Sequence, residues 1–429
     1  MTLEIFHRLE SEVRGYIRSF PIELTSAHGT TLVAADGTEY LDFFAGAGVL
    51  NYGHNNPVLK AALIDYLSRD GITHGLDLAT TAKREFMEAF ERLVLQPRGL
   101  DYKLQFTGPT GTNAVEAALK LARQVKGRAE VIAFTNAFHG VSTGSLAATG
   151  NKKFRDAAGF PLAHVTRMPF DGYLGEGVDT LDYLEKLLDD PSSGIDAPAA
   201  VIVEAVQGEG GINAASVAWL QRLRALTTEH DALLILDEIQ AGIGRTGTFF
   251  AFEAAGIVPD IVTVSKSISG YGLPMALVLL KPELDIWKPA AHSGTFRGNN
   301  LAFVTGKVAL EHYWADDTFQ REIARKSELL EVEIRSLIAD FPDLRLQPRG
   351  RGMMRGIVAP DDLGWATRVA GAAFERRLVI ETSGAHSEVL KFLTALTIED
   401  SELLRGVGIL RDSIASVSPA ARSLAASTA

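Results

Sequence analysis

The sequence predicts an α/β protein built on a mostly parallel sheet, with a smaller α+β domain packed beside it. Three observations lead there. Short runs that are apolar throughout alternate with helical-period segments across the middle of the chain. A strand with no polar face belongs in a sheet covered by helices on both sides. Beyond about residue 310 the texture changes to a long charged helical pattern followed by short strands, and 429 residues exceed what one compact core usually holds.

Behind "GPTGTN", Ala114, Ala118, Leu121 and Val125 fall at helical spacing and predict a helix. "EVIAF" (130–134) and "AAVIVE" (199–204) predict strands, and "SVAWLQRLRAL" (216–226) predicts an amphipathic helix. "ALLILDE" (232–238), "IVTVS" (261–265) and "ALVLL" (276–280) predict three more strands. The pattern over 319–341 predicts one long helix, followed by strands at "GMMRGIV" (352–358) and "RLVIE" (377–381). Residues 1–55 and 311–429 are assigned to the small domain and 56–310 to the large one. The small, polar tail "SPAARSLAASTA" (418–429) is expected to fray.

Composition narrows the function. A net charge of −11 argues against non-specific nucleic-acid binding. The absence of cysteine excludes disulfides, thiolate metal sites and cysteine nucleophiles. The N-terminus shows no signal-peptide pattern, and no apolar run approaches the roughly 20 residues of a membrane span. A cytoplasmic protein, free of membrane and nucleic acid, is expected.

Parallel sheets bind ligands beyond the carboxyl ends of their strands. Glu204, Asp237, Glu238 and Lys266 stand at such ends. Any one of them alone reads equally well as half of an ion pair. "TGPTGTNAVE" (107–116) is a glycine-rich turn opening a helix, where free N–H groups at Gly111 and Thr112 favour an anion. An ordinary Thr/Asn helix cap is the alternative. "NAFHG" (136–140) puts Phe138 either in the core or against a planar ligand, with His139 beside it and no second histidine at metal-ligand spacing. "EAVQGEGG" (204–211) sets Glu204 and Glu209 around a turn that otherwise reads as a solvated loop. "DEIQAGIGRTG" (237–247) aims Asp237 and Gln240 toward one cleft, and "HSGTFRGNN" (292–300) is a further turn rich in donors. Together these residues describe a flat, phosphorylated aromatic cofactor with an Asp for a ring nitrogen and a lysine for an aldehyde. Pyridoxal 5′-phosphate needs that set.

The same segments, in the same order, resemble the class III (ω-amino acid) aminotransferases. "TGPTGTNAVEAALKLAR", "AFHG", "EAVQGEGG", "DEIQAGIGRTG" with Lys266 29 residues after Asp237, "HSGTFRGN" and "DGTEYLDFFAGAGVLNYGHNNP" (36–57) carry the resemblance over nearly the whole chain. It implies a fold type I transferase with a seven-stranded sheet, pyridoxal phosphate as cofactor, and a ping-pong cycle through pyridoxamine phosphate. Lys266 would form the Schiff base and shuttle the proton. Asp237 would pair with the pyridine N–H, Gln240 with the phenolic oxygen, and Gly111 and Thr112 with the phosphate. Phe138 would stack on the ring with His139 next to it. Thr295 would reach the phosphate from a partner subunit, making a homodimer the minimum, with a tetramer or hexamer also compatible.

For the substrate, the resemblance implies a carboxylate grip switched by Glu209, with Lys391 of "SEVLKFLTALTI" (387–398) where an arginine is commonest. "ESEVRGYIRSFP" (10–21) and "FFAGAGVLNYGHNNP" (43–57) resemble a subgroup that aminates L-aspartate β-semialdehyde with L-glutamate. That reaction gives L-2,4-diaminobutyrate and 2-oxoglutarate and opens ectoine synthesis. Ala45 to Gly48, Ala47 among them, would wall a pocket for a short substrate. The alternatives are a diaminobutyrate aminotransferase of another pathway and an acetylornithine- or ornithine-type enzyme.

Overall fold

The computed structural model describes residues 3–418. From residue 419 on, the tail expected to fray lies outside the described residues. At the centre is a seven-stranded sheet. Its order is Lys103–Phe106, Leu277–Leu280, Ile261–Val264, Leu233–Asp237, Ala200–Val203, Val131–Phe134, Val165–Met168. Leu277–Leu280 runs antiparallel to both its neighbours, and the pairings among the last five strands are parallel. The apolar runs are apolar throughout because both sheet faces are covered. Ile132, Val201, Val203, Leu234, Leu236, Val262 and Val264 point into one core, whereas Val131, Ala200, Ile202, Leu233, Ile235 and Ile261 point into the other. The second core is closed by the helix Gly111–Lys126, whose buried Ala114, Val115, Ala118, Leu121 and Ala122 recur at helical spacing.

Two smaller sheets flank this body. Leu24–His28, Thr31–Ala34 and Glu39–Asp42 form an antiparallel meander joined in parallel by Leu378–Val379. Gln347–Arg351, Met354–Val358, Val389–Phe392 and Glu381–Ser383 form a second, antiparallel sheet in that order. The run expected as one strand at 377–381 is thus two short strands, broken at Ile380 and shared between two sheets. The long helix expected over 319–341 spans Thr318–Ala339. Among the described residues no helix is long and apolar enough to cross a membrane.

Arg245 ties three segments together at the centre of the molecule. Fully buried, it donates to the carbonyl of Thr394 at 2.6 Å, to that of Met353 at 3.4 Å and to Asn51 Oδ1. Asn51 in turn donates to the carbonyl of Ile243 at 2.9 Å. Burial without a carboxylate partner pulls its guanidinium down to about 9. Arg245→Ala would leave these acceptors unpaired beside a cavity, and a loss of about 3 kcal/mol or more is expected in denaturant unfolding. A loss under about 1 kcal/mol would show that these contacts do not hold the segments together.

Candidate active site

Lys266 follows the strand Ile261–Val264 by two residues and opens a short 3₁₀ turn, Lys266–Ser269. Its φ of 55° is left-handed, a conformation costly for a residue with a Cβ, so the surroundings hold it there. Ser267 Oγ donates to the carbonyl of Gly48, and Ser265 Oγ to that of Met275, both at 2.9 Å. Lys266 Nζ donates to the carbonyl of Ala47 at 2.7 Å. Ala47 belongs to a second left-handed turn, with Gly46 at φ 59° and Ala47 at 58°. The buried Asp42 sets that turn, accepting from the N–H groups of Phe44 and Ala45 while His54 holds its other oxygen at 2.8 Å. Burial lowers the Lys266 ammonium to about 8, against the opposing pull of Glu209. A share of the amine is therefore neutral near pH 8.

Asp237 ends the neighbouring strand, where Cα pairing sets it opposite Thr263. Its Oδ1 accepts from Thr263 Oγ1 and from the N–H of Ile239, each at 3.1 Å. Its Oδ2 lies 2.8 Å from His139 Nδ1. Burial disfavours the charged imidazole, but the Asp237 carboxylate outweighs it and the His139 pKa rises. Glu204, a strand-end candidate whose alternative was a solvated loop, is buried directly after the strand Ala200–Val203. It accepts from the N–H groups of Phe138 and Gly208, which fixes the turn it opens, and burial raises it to about 7. Glu238 faces away and accepts from the N–H groups of Ala251 and Phe252.

The helix Gly111–Lys126 begins at the same sheet edge, and its first N–H groups have no intrahelical acceptors. Thr112 Oγ1 lies 2.6 Å from Ser142 Oγ and 2.5 Å from Ser145 Oγ. Glu116 Oε1 accepts from the N–H groups of Gly144 and Ser145, so a carboxylate already satisfies the adjacent helix start. Gly111 and Thr112, expected to hold an anion, open this helix directly after the capping residue Thr110. Phe138 is half-buried, with its ring 5.2 Å from that of Phe154.

Opposite these groups, Lys391 is fully buried between two carboxylates, Glu209 at 2.7 Å and Glu381 at 2.9 Å. Register explains the second contact, because Glu381 pairs with Lys391 across two antiparallel strands. Burial would raise Glu209, yet the Lys391 and Lys266 charges hold it down at about 2. Burial also opposes the Lys391 charge, but the two glutamates overcome it and raise its pKa. Gln240 Nε2 donates to Glu209 at 3.2 Å and to the carbonyl of Ala47 at 3.1 Å. A Cβ at Gly208 would overlap the Gln240 amide as it stands, so glycine here lets Gln240 keep its bonds to Glu209 and Ala47.

The model of class-III aminotransferases matches residues 15–414. The chain belongs to this family. The aminotransferase is 62% identical to the diaminobutyrate–2-oxoglutarate transaminase of Bordetella parapertussis, over 97% of this chain and 95% of the relative. It is 56% identical to the enzyme of that name from Halomonas elongata, over 96% of this chain and 99% of the relative. Among solved structures it superposes on the ornithine aminotransferase of Toxoplasma gondii with a TM-score of 0.83, at 26% identity, covering 96% of this chain and 93% of that one. That structure holds pyridoxal phosphate at partial occupancy in its active site.

The fold of the aminotransferase links Lys266, the carbonyl of Ala47, Gln240, Glu209 and Lys391 in one chain of hydrogen bonds, and sets the Asp237–His139 pair at the end of the strand next to the one that leads to Lys266. Thr295 is exposed on the turn 292–298 and shares no hydrogen bond with either. Glu381 was not among the expected residues. Its partner is set by strand register, which local sequence does not display. The polar accounting leaves room for a flat ring, since His139 Nε2 and Gln240 Oε1 are buried without partners, while a Thr110–Asn113 capping box already serves part of the helix start at Gly111.

Proposed function

We propose that the chain moves an amino group from L-glutamate to L-aspartate β-semialdehyde, giving L-2,4-diaminobutyrate and 2-oxoglutarate, with pyridoxal phosphate as cofactor. The observation that carries this reading is the 53–62% identity to diaminobutyrate–2-oxoglutarate transaminases over nearly the whole chain. The reaction opens ectoine synthesis in the cytoplasm. The working unit is at least a homodimer, in which Thr295 serves the second subunit's phosphate site. The chain divides into a small domain of 1–55 with 311–429 and a large domain of 56–310.

Pyridoxal phosphate supplies an aldehyde that takes up amino nitrogen and a ring that accepts the electron pair left on the substrate carbon. Lys266 Nζ would hold the cofactor at its aldehyde and, once the substrate's amino group has displaced it and left it a free amine, would carry the proton between the substrate carbon and the neighbouring position. Asp237 keeps the proton on the ring nitrogen, and His139 holds the far oxygen of Asp237 still. Gln240 bonds the phenolic oxygen, Gly111 and Thr112 bind the phosphate, and Phe138 covers the ring face. The small residues at Ala47 leave room for a four-carbon substrate. Glu209 leaves Lys391 when a carboxylate on the reacting carbon must be bound, and stays paired when there is none.

A coupled assay of the purified protein across aspartate semialdehyde, acetylornithine and ornithine tests the substrate. Aspartate semialdehyde is expected to lead in kcat/KM by about tenfold or more. If L-glutamate leaves the cofactor's absorbance unchanged, the donor assignment is wrong. Lys391→Ala strands two buried carboxylates, so it is expected to cost about 3–5 kcal/mol of stability as well as raising KM for glutamate. Unchanged glutamate kinetics in that variant would remove Lys391 from the site.

A further inference from the structure

Two buried carboxylates share one ammonium at Lys391, and whenever Lys266, the second cation facing them, gives up its charge the group is left one negative charge in excess. The two are not equivalent. The Glu209 side chain is 25% exposed toward the open side, while Glu381 is 6% exposed and Lys391 not at all. Glu381 Oε1 lies 2.9 Å from Lys391 Nζ, an ammonium it shares with Glu209. The titratable groups facing Glu381 are Lys391 across the strand pair, Glu209 from the turn, Lys266 from the sheet end and Tyr16 from the N-terminal segment. Burial, with Glu209 adding to it and Lys391 opposing, holds Glu381 at about 7.

The two amino donors of the proposed reaction differ at the reacting carbon. In L-glutamate that carbon bears a carboxylate, which must sit at Lys391 while Glu209 moves aside within the same small site. In L-2,4-diaminobutyrate reacting at its γ-nitrogen the carbon bears none, and the Glu209–Lys391 pair stays closed. Only glutamate therefore brings a third carboxylate to two that already share one ammonium.

On the glutamate-donor reading above, we infer that Glu381 is a donor-specificity residue: it takes up one proton from solvent when the glutamate carboxylate displaces Glu209 from Lys391, and takes up none when diaminobutyrate reacts. The proton turns Glu381 neutral, so the Lys391 charge is shared by one carboxylate fewer. A lysine in place of an arginine fork suits this arrangement, because a compact ammonium can exchange one partner while keeping the other. The sign follows: binding that needs a proton weakens as pH rises above the free group's value, by at most about tenfold per pH unit.

The test uses the cofactor-loaded enzyme and reads the two half-reactions separately, with L-glutamate and with L-2,4-diaminobutyrate, from about pH 6.5 to about pH 9. Titration of Lys266 affects both, so the ratio of their kcat/KM values isolates the glutamate-specific step. In wild type the glutamate-to-diaminobutyrate ratio is expected to fall with pH above about 7, approaching tenfold per unit. Glu381→Gln is expected to raise that ratio at high pH and flatten its pH dependence. Melting temperature and retained cofactor absorbance serve as the folding control for this variant. A variant that keeps the wild-type slope, or shifts both half-reactions equally, overturns the inference. If Glu381→Gln loses both half-reactions through misfolding, proton uptake by the wild type decides. About one more proton per site with glutamate than with diaminobutyrate supports the inference, and equal uptake overturns it. A wild type that glutamate does not convert at any pH sinks the donor assignment instead.

Discussion

Lys266→Ala is expected to leave a folded protein whose turnover drops by about a thousandfold or more and whose visible absorbance band is lost. In the proposed function the amine both attaches the cofactor and serves as the base at the substrate carbon, so two roles would vanish with one side chain. Folding should suffer little. The buried ammonium makes a single hydrogen bond, to the carbonyl of Ala47, and burial already disfavours its charge. The left-handed backbone at φ 55° is equally strained with alanine, so it adds no difference. Turnover within tenfold of wild type would sink the assignment. A melting temperature lower by more than a few degrees would show that Lys266 supports the fold.

Asp237→Asn is expected to bind cofactor yet lose about 10²- to 10³-fold in kcat, the scale of removing one preorganised electrostatic partner. The variant can fold because its neighbours accommodate an amide. Oδ1 keeps its bonds from Thr263 and Ile239. The new amide meets His139 Nδ1, which becomes an acceptor once the imidazole proton moves to Nε2, an atom with no partner in the native arrangement. What disappears is the negative charge that keeps the ring nitrogen protonated. A variant with near-native kcat and intact cofactor absorbance would show that the ring nitrogen needs no such partner.

The strands were legible because burial on both faces left "VIAF", "AVIV" and "LLIL" wholly apolar and "IVTV" apolar but for Thr263, whose hydroxyl bonds Asp237. Chemically unusual residues at their ends then marked the site. Strand direction was not legible, since Leu277–Leu280 is as uniformly apolar as its neighbours yet runs the other way. Glu204 kept a solvated-loop alternative because its glycine-rich context suggests a loop; its burial comes from bonds to Phe138 and Gly208, of which Phe138 lies far away in sequence. Glu381 stayed hidden for a related reason. In "VIETS" it resembles an ordinary strand-end acid, and only antiparallel register across to Lys391 makes it part of the site.

One residue, Ile380, links the strand that completes the N-terminal sheet to the strand that carries Glu381. Phe43 locks this ribbon from the other side, donating its N–H to the carbonyl of Val379 while its own carbonyl accepts from the N–H of Leu393. Residues 39–43 therefore brace the far wall of the pocket, with Ile380 alone between Val379 and the Glu381 that sits beside Lys391. For anyone engineering the protein, trimming into Glu39–Asp42 would loosen both walls of the site at once, because Asp42 also sets the turn whose Ala47 carbonyl accepts from Lys266.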